Sequence, residues 1–138
     1  MYNYIFFKGY ELAKKLKNWK DTPVLFSTMG LAVCFIFHLA TALMIAEVLS
    51  KGQIHFSRAI SFINKIRFFW GAAVIILLYT YYATNGRGER IFSTLQKKRD
   101  RNMLLKINPL LALFFIYVIS FCICVLVAMY KNRDGIFT

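Results

Sequence analysis

Three long runs of apolar residues divide this chain, and polar or basic segments separate them. The first run extends over residues 22–49, and from Pro23 to Ala46 it contains no charged residue. A helix of about 20 apolar residues is long enough to cross the hydrocarbon core of a bilayer. Two further runs extend over residues 67–84 and 107–130. The pattern therefore predicts an all-α integral membrane protein with three transmembrane helices.

The segments outside these runs predict the remaining elements. Residues 1–20 repeat apolar side chains at helical spacing between lysines, which is typical of an amphipathic helix lying in the membrane interface. We expect a membrane anchor there, with Lys8 on the polar face; a helix that binds a partner or remodels the membrane is the alternative. Residues 50–66 predict an interfacial connection, residues 87–105 a basic cytoplasmic helix, and residues 131–138 a polar tail.

Two of the predicted spans begin with the same local signal, a capping residue followed by proline. Thr22 precedes Pro23, and Asn108 precedes Pro109. Side chains of this kind cap the free amides at a helix start, and proline suits the first position because its missing N–H costs nothing there. Asn85-Gly86 predicts a break after the second span.

Composition agrees with residence in a membrane. Hydrophobic residues make up 59% of the 138 residues, against about 45–50% in a soluble domain. A single domain of this size has no room to bury that surplus, so we expect it to face lipid. No cleavable signal peptide is expected, because lysines interrupt the first 20 residues.

The formal net charge of +12 predicts the orientation. Lys and Arg number five before the first span and seven in the second connection, twelve in all, against four in the first connection and two in the tail. The positive-inside rule then places the N-terminus in the cytoplasm and the C-terminus outside. The expected location is a cell membrane, with the bacterial inner membrane favoured.

The densest charge run predicts a patch for anionic lipid headgroups or for a protein partner. Nucleic acid is disfavoured as its ligand, because the run follows a span directly and has few aromatic neighbours. The patch consists of Lys97, Lys98, Arg99 and Arg101.

The first and third spans carry matching stripes of small and polar residues. Small residues allow two helices to approach closely, and a polar side chain can form a hydrogen bond across the contact. The candidates for helix packing or gating are Gly30, Cys34, His38, Thr41, Ala42, Ser120 and Cys124. Ionisable groups within a membrane are costly and often functional. His38 is therefore either a neutral core histidine bonded to Ser120 or another span, or a proton-linked, gating or ligand group.

Glu47 stands near the outer end of the first span. It predicts an interfacial ion pair with Lys51, Lys65 or Arg67. The alternative is a cation site at the mouth of a pore, which would need a ring of subunits because each chain supplies one carboxylate.

No pattern in the chain predicts catalysis. Six carboxylates are present, motifs for metal, nucleotide or nucleophile are missing, and no Ser–His pair is expected at a plausible membrane depth. We expect no enzyme, no metal and no cofactor. The sequence favours a small subunit that assembles with itself or with partner membrane proteins. A homo-oligomeric pore or membrane-disrupting effector is the alternative, and a small-molecule transporter is disfavoured for want of an inverted repeat.

Overall fold

The computed structural model describes residues 1–50 and 67–133, with the side chains of residues 1–50 and 69–131. Every regular element in these ranges is helical, which confirms the all-α prediction. The helices are α1 (Tyr2–Lys15), α2 (Pro23–Leu49), α3 (Arg67–Ala83), α4 (Arg87–Lys98), α5 (Met103–Lys106) and α6 (Pro109–Arg133). The described residues do not include the predicted connection beyond residue 50, with Lys51 and Lys65. They also do not include the side chain of Arg67 or the tail after residue 133.

Two helices, α2 and α6, are long and apolar enough to cross a membrane by length and composition. The most apolar windows of these two helices have mean hydropathies of 2.2 and 3.0. Only 22% and 17% of the residues in these windows are buried within the protein. An all-apolar helix in the core of a soluble protein would be covered on all sides. The second predicted span corresponds to α3, whose 17 residues fall short of the usual length, about 20 residues. Three spans are therefore not established on this criterion.

Local signals explain most of the helix boundaries. Asn108 caps α6, because its Oδ1 accepts the Leu110 N–H at 3.0 Å. Thr22 precedes the first residue of α2 as predicted, but its side chain makes no capping hydrogen bond. The chain breaks between α3 and α4 at Asn85 and Gly86, which have φ angles of 54° and 64°.

The predicted basic helix over 87–105 is not continuous. α4 ends at Lys98, and a 3₁₀ turn over Arg99–Arg101 follows it. Asn102 is extended, and its side chain accepts the Leu104 N–H at the start of α5. Local side-chain hydrogen bonding of this kind gives the backbone an alternative to helix continuation.

The N-terminal helix α1 is a core element, which differs from the predicted helix lying in the interface. It packs against α2, α4 and α6, and every residue from Ile5 to Glu11 is buried. Lys8, expected on the polar face, is 0% exposed. Its burial depends on hydrogen bonds to a distant part of the chain, described below.

α2 lies at the centre of the longer helices and packs against α1, α3 and α6. α2 and α6 run parallel, because Gly30 lies beside Tyr117 near their starts and Glu47 meets Lys131 near their ends. A Cβ added at Gly30 would lie 2.5 Å from the Tyr117 hydroxyl oxygen, so the helices touch there. Buried residues from α1, α2, α3 and α6 form one core: Ile5, Phe6, Tyr10, Leu31, Cys34, Tyr82 and Leu113.

Candidate functional site

A cluster of polar side chains lies where α1, α2 and α6 meet. The His38 Nδ1 is 3.1 Å from the Tyr2 hydroxyl, and its Nε2 is 3.2 Å from the Ser120 Oγ. The Cys34 Sγ lies 3.6 Å from the same Oγ and 3.9 Å from Nε2. We call Tyr2, Cys34, His38 and Ser120 the histidine cluster. It contains the His38–Ser120 contact that the sequence offered as one interpretation.

The histidine cluster corrects one prediction from the sequence, because it brings a serine and a histidine together at a depth where no Ser–His pair was expected. Both partners of the imidazole are hydroxyls, which donate and accept, so either neutral tautomer finds a partner at each nitrogen. Ser120 is 3% exposed, which leaves a substrate no access to its hydroxyl in this arrangement. Nucleophilic catalysis needs such access and a base in contact with it. The arrangement can join three helices and can pass a proton along hydroxyl groups.

The predicted stripe on α2 contacts α6 through only part of its length. Gly30 and His38 face α6, whereas Ala42 is exposed and lies off the contact. A residue advances about 100° around an α-helix, so three steps of four residues rotate a position by about 120°. That drift carries Ala42 away from the face that Gly30 occupies.

Two further stripe candidates do not join the histidine cluster. The Thr41 hydroxyl donates to the Phe37 carbonyl of its own helix at 2.8 Å. Cys124 is half-buried on α6. The Thr41 hydrogen bond therefore stays within α2. Within the described ranges, no three His, Cys, Asp or Glu side chains come together as a metal site would require.

Glu47 forms a buried ion pair with a partner that the sequence did not suggest. The Lys131 Nζ lies 2.7 Å from the Glu47 Oε2, and the Glu47 side chain is 0% exposed. The predicted partner Lys51 lies outside the described residues. The signal for Lys131 was present, because α2 and α6 both start at a proline and have similar lengths, so the ends of these parallel helices come level. The other oxygen, Oε1, accepts no hydrogen bond from the described residues.

A second buried charge, Lys8, joins α1 to the connection before α6. Its Nζ donates to the Glu11 Oε2 at 3.1 Å and to the carbonyl oxygens of Leu105 and Ile107 at 2.8 and 2.7 Å. Three ammonium protons thus meet three acceptors. These carbonyls are available because α5 is a single turn and the chain leaves helical geometry at Ile107. Burial lowers the pKa of the Lys8 ammonium, and Glu11 opposes this effect.

Glu11 extends this cluster to the predicted basic patch. Its Oε1 lies 3.2 Å from the Arg99 Nη1 and 3.9 Å from the Lys15 Nζ. Arg99 therefore turns toward α1 rather than away from the protein. The other members of the patch, Lys97, Lys98 and Arg101, are exposed. We call Lys8, Glu11 and Arg99 the lysine cluster.

Two cavities lie outside the sequence predictions. A cavity of about 650 Å³ lies beside α4, with Arg87, Arg90 and Tyr81 in its lining, and the Arg87 guanidinium stands 4.0 Å from the Tyr81 ring centroid. A second cavity of about 750 Å³ lies between α1, α2 and α6 and is almost wholly apolar. We call it the apolar groove. It forms where α6 packs against α1 and α2, which are distant from it in sequence, so no local pattern predicts it.

Comparison of the chain with family models, curated proteins and solved structures gives no match. Its function is therefore argued from the arrangement of its own residues.

Proposed function

We propose that the chain is a non-enzymatic integral membrane protein with three spans, α2, α3 and α6, that acts as a small subunit and assembles with itself or with partner membrane proteins. The outward-facing apolar surface of α6 carries this proposal. One face presents Phe115, Ile119, Leu126 and Met129, each more than half exposed. A continuous apolar surface of this kind requires lipid or another helix to cover it.

Charge supports an orientation with the N-terminus in the cytoplasm. The lysine cluster joins the second half of α1 to the segment of α4 and α5 at one end of the molecule, where α2 and α6 begin. Most of the described lysines and arginines belong to these segments. By the positive-inside rule this end faces the cytoplasm of a cell membrane, and α6 ends outside.

The polar residues of the spans favour a subunit over a pore. His38 and Ser120 contact each other, and Glu47 contacts Lys131, all within one chain. Thr41 bonds its own helix. A pore lining would direct such groups toward a shared water path. Here the His38–Ser120 and Glu47–Lys131 contacts stabilise the packing of α2 against α6.

The exposed part of the basic patch gives the subunit a second contact surface. Lys97 and Lys98 lie in the last turn of α4, Arg101 follows it, and all three side chains are exposed. Anionic lipid headgroups attract such residues, by about 1 kcal/mol for each Lys or Arg near the surface.

Crosslinking in membranes tests the proposed assembly. Cys122 is exposed on α6 at the face described above, whereas Cys34 is buried. A thiol-specific crosslinker should give a discrete product of two chains or of one chain and one partner, and Cys122→Ser should remove it while Cys34→Ala keeps it. Only a 16.1 kDa species, both in membranes and by native mass spectrometry in nanodiscs, would contradict the assembly.

Conductance distinguishes the subunit from the pore. The intact chain in liposomes should leave the membrane as tight to ions as protein-free liposomes. Ion currents that depend on Glu47 or His38 would overturn the subunit proposal and favour the pore.

A further inference from the structure

The apolar groove has the size and lining of a ligand site. Its volume of about 750 Å³ falls within the range of about 300–1,000 Å³ for small-molecule pockets. Gly9 and Gly30 lie at its floor, where a Cβ on Gly9 would stand 3.0 Å from the Ser27 Cα, so backbone forms much of that floor. Leu12 and Phe114 are among the apolar side chains of its walls.

Lysines lie close in sequence to the lining at one end of the apolar groove, and we call them its basic rim. Trp19 lines this end and packs its ring 5.4 Å from the ring of Phe26, between centroids. Lys17 and Lys20 flank Trp19 in sequence, and Lys106 precedes α6; all three side chains are exposed. Asp21 is the acidic neighbour.

Helix geometry adds positive potential at the same end. α2 and α6 both begin there, at Pro23 and Pro109, and each helix start carries about half a positive elementary charge. Tryptophan favours the headgroup level of a bilayer. The rim therefore suits a negative headgroup above an apolar chain.

A second copy of the protein fits this surface poorly. Copies in one membrane share an orientation, so the basic rims of two chains would meet at the same depth. The ammonium groups of Lys17, Lys20 and Lys106 on the two chains would then repel each other. An anionic occupant removes the repulsion.

We propose that the apolar groove binds an acyl chain of an anionic phospholipid, whose phosphate lies among Lys17, Lys20 and Lys106. This inference rests on the proposed membrane location. The lipid fills the space between α1 and the two parallel helices, and its charge matches the rim.

Two tryptophans allow the groove and the bilayer to be measured separately. Trp70→Phe leaves Trp19 as the fluorophore in the groove, and Trp19→Phe leaves Trp70, which is 50% exposed on α3. Each variant of the full chain is placed in bilayers containing brominated phosphatidylglycerol or brominated phosphatidylcholine at equal mole fraction. Trp19 should be quenched with at least threefold higher relative affinity by the anionic lipid, and Trp70 equally by both.

Charge and shape variants complete the test. Lys20→Ala should reduce the anionic preference at Trp19 about three- to fivefold, and the matched control Lys97→Ala should leave it unchanged. Met29→Trp fills the groove from its wall and should lower the amount of phosphatidylglycerol retained in native mass spectrometry. Ile36→Trp, at an exposed position of the same helix, should not.

The outcomes distinguish a failure of the lipid site from a failure of the proposed membrane location. Equal quenching of Trp19 by both lipids, with Trp70 quenched, overturns the lipid site and leaves the membrane location standing. Unquenched Trp19 in a protein of twice the single-chain mass places a second copy in the groove and also overturns the inference. If neither tryptophan is quenched, the membrane location itself fails.

Discussion

Replacement of Lys8 by methionine tests whether the buried ammonium holds α1 against the start of α6. Methionine keeps most of the apolar stem and its volume, so the change removes the charge and three hydrogen bonds without a large cavity. The carbonyls of Leu105 and Ile107 lose their donor, while Glu11 keeps Arg99 at 3.2 Å.

The expected cost follows from these groups. A buried polar group without a partner costs about 1–3 kcal/mol, which gives about 2–6 kcal/mol for two carbonyls. Removal of the buried charge also removes its desolvation penalty, which offsets part of this loss. We expect Lys8→Met to lower the free energy of unfolding by about 2–4 kcal/mol.

Lys15→Met is the matched control, because Lys15 approaches the same carboxylate at 3.9 Å but is 59% exposed. An exposed ion pair contributes about 0–1 kcal/mol. Unfolding by SDS in mild detergent, followed by near-ultraviolet circular dichroism, gives both values. A loss for Lys8→Met no larger than that for Lys15→Met refutes the proposed role of the buried ammonium.

Four further predictions use the same unfolding measurement. Burial lowers the Lys8 pKa, so between that lowered value and 10.5 the unfolded chain binds more protons than the folded chain. The free energy of unfolding of the wild type should therefore rise relative to that of Lys8→Met as pH increases through this window, and a constant difference contradicts this. Gly9→Ala should cost about 1–3 kcal/mol by crowding Ser27, whereas Gly71→Ala meets no atom within 4 Å and should gain about 0.5–1 kcal/mol; equal effects would disprove the close contact. Lys131→Met leaves the Glu47 carboxylate buried and should cost about 3–5 kcal/mol, more than Glu47→Gln, and the reverse order counts against the pair. His38→Leu removes the contacts to Tyr2, Cys34 and Ser120 and should cost about 1 kcal/mol; unchanged stability and assembly would leave the histidine without a role.

The two long apolar helices were predictable because their boundaries depend on local chemistry. The predicted first span over 22–49 corresponds to α2, Pro23–Leu49, since a charge-free run and a proline at its start act over a few residues. The same reasoning located α6 from Asn108 and Pro109.

The contacts between elements were harder to predict, because they join residues distant in sequence. Lys8 resembles a surface lysine until the carbonyls of Leu105 and Ile107 reach it. His38 was conspicuous as a polar residue in an apolar run, and its contact with Ser120 could be guessed from matching stripes. Its third partner, Tyr2, could not, because that contact requires α1 to be packed into the core.

The hydrogen bonds of Lys8 also determine when α1 can reach its final packing during synthesis. Its two carbonyl partners lie 97 and 99 residues later in the chain. At a synthesis rate of about 5–20 residues per second, the ribosome needs roughly 5–20 s to reach them. During that interval the Lys8 ammonium lacks two of its three acceptors and can pair only with Glu11 of the same helix. The final packing of α1 therefore waits until the segment just before α6 has been made, and a chain truncated before Leu105 would lack both carbonyl acceptors.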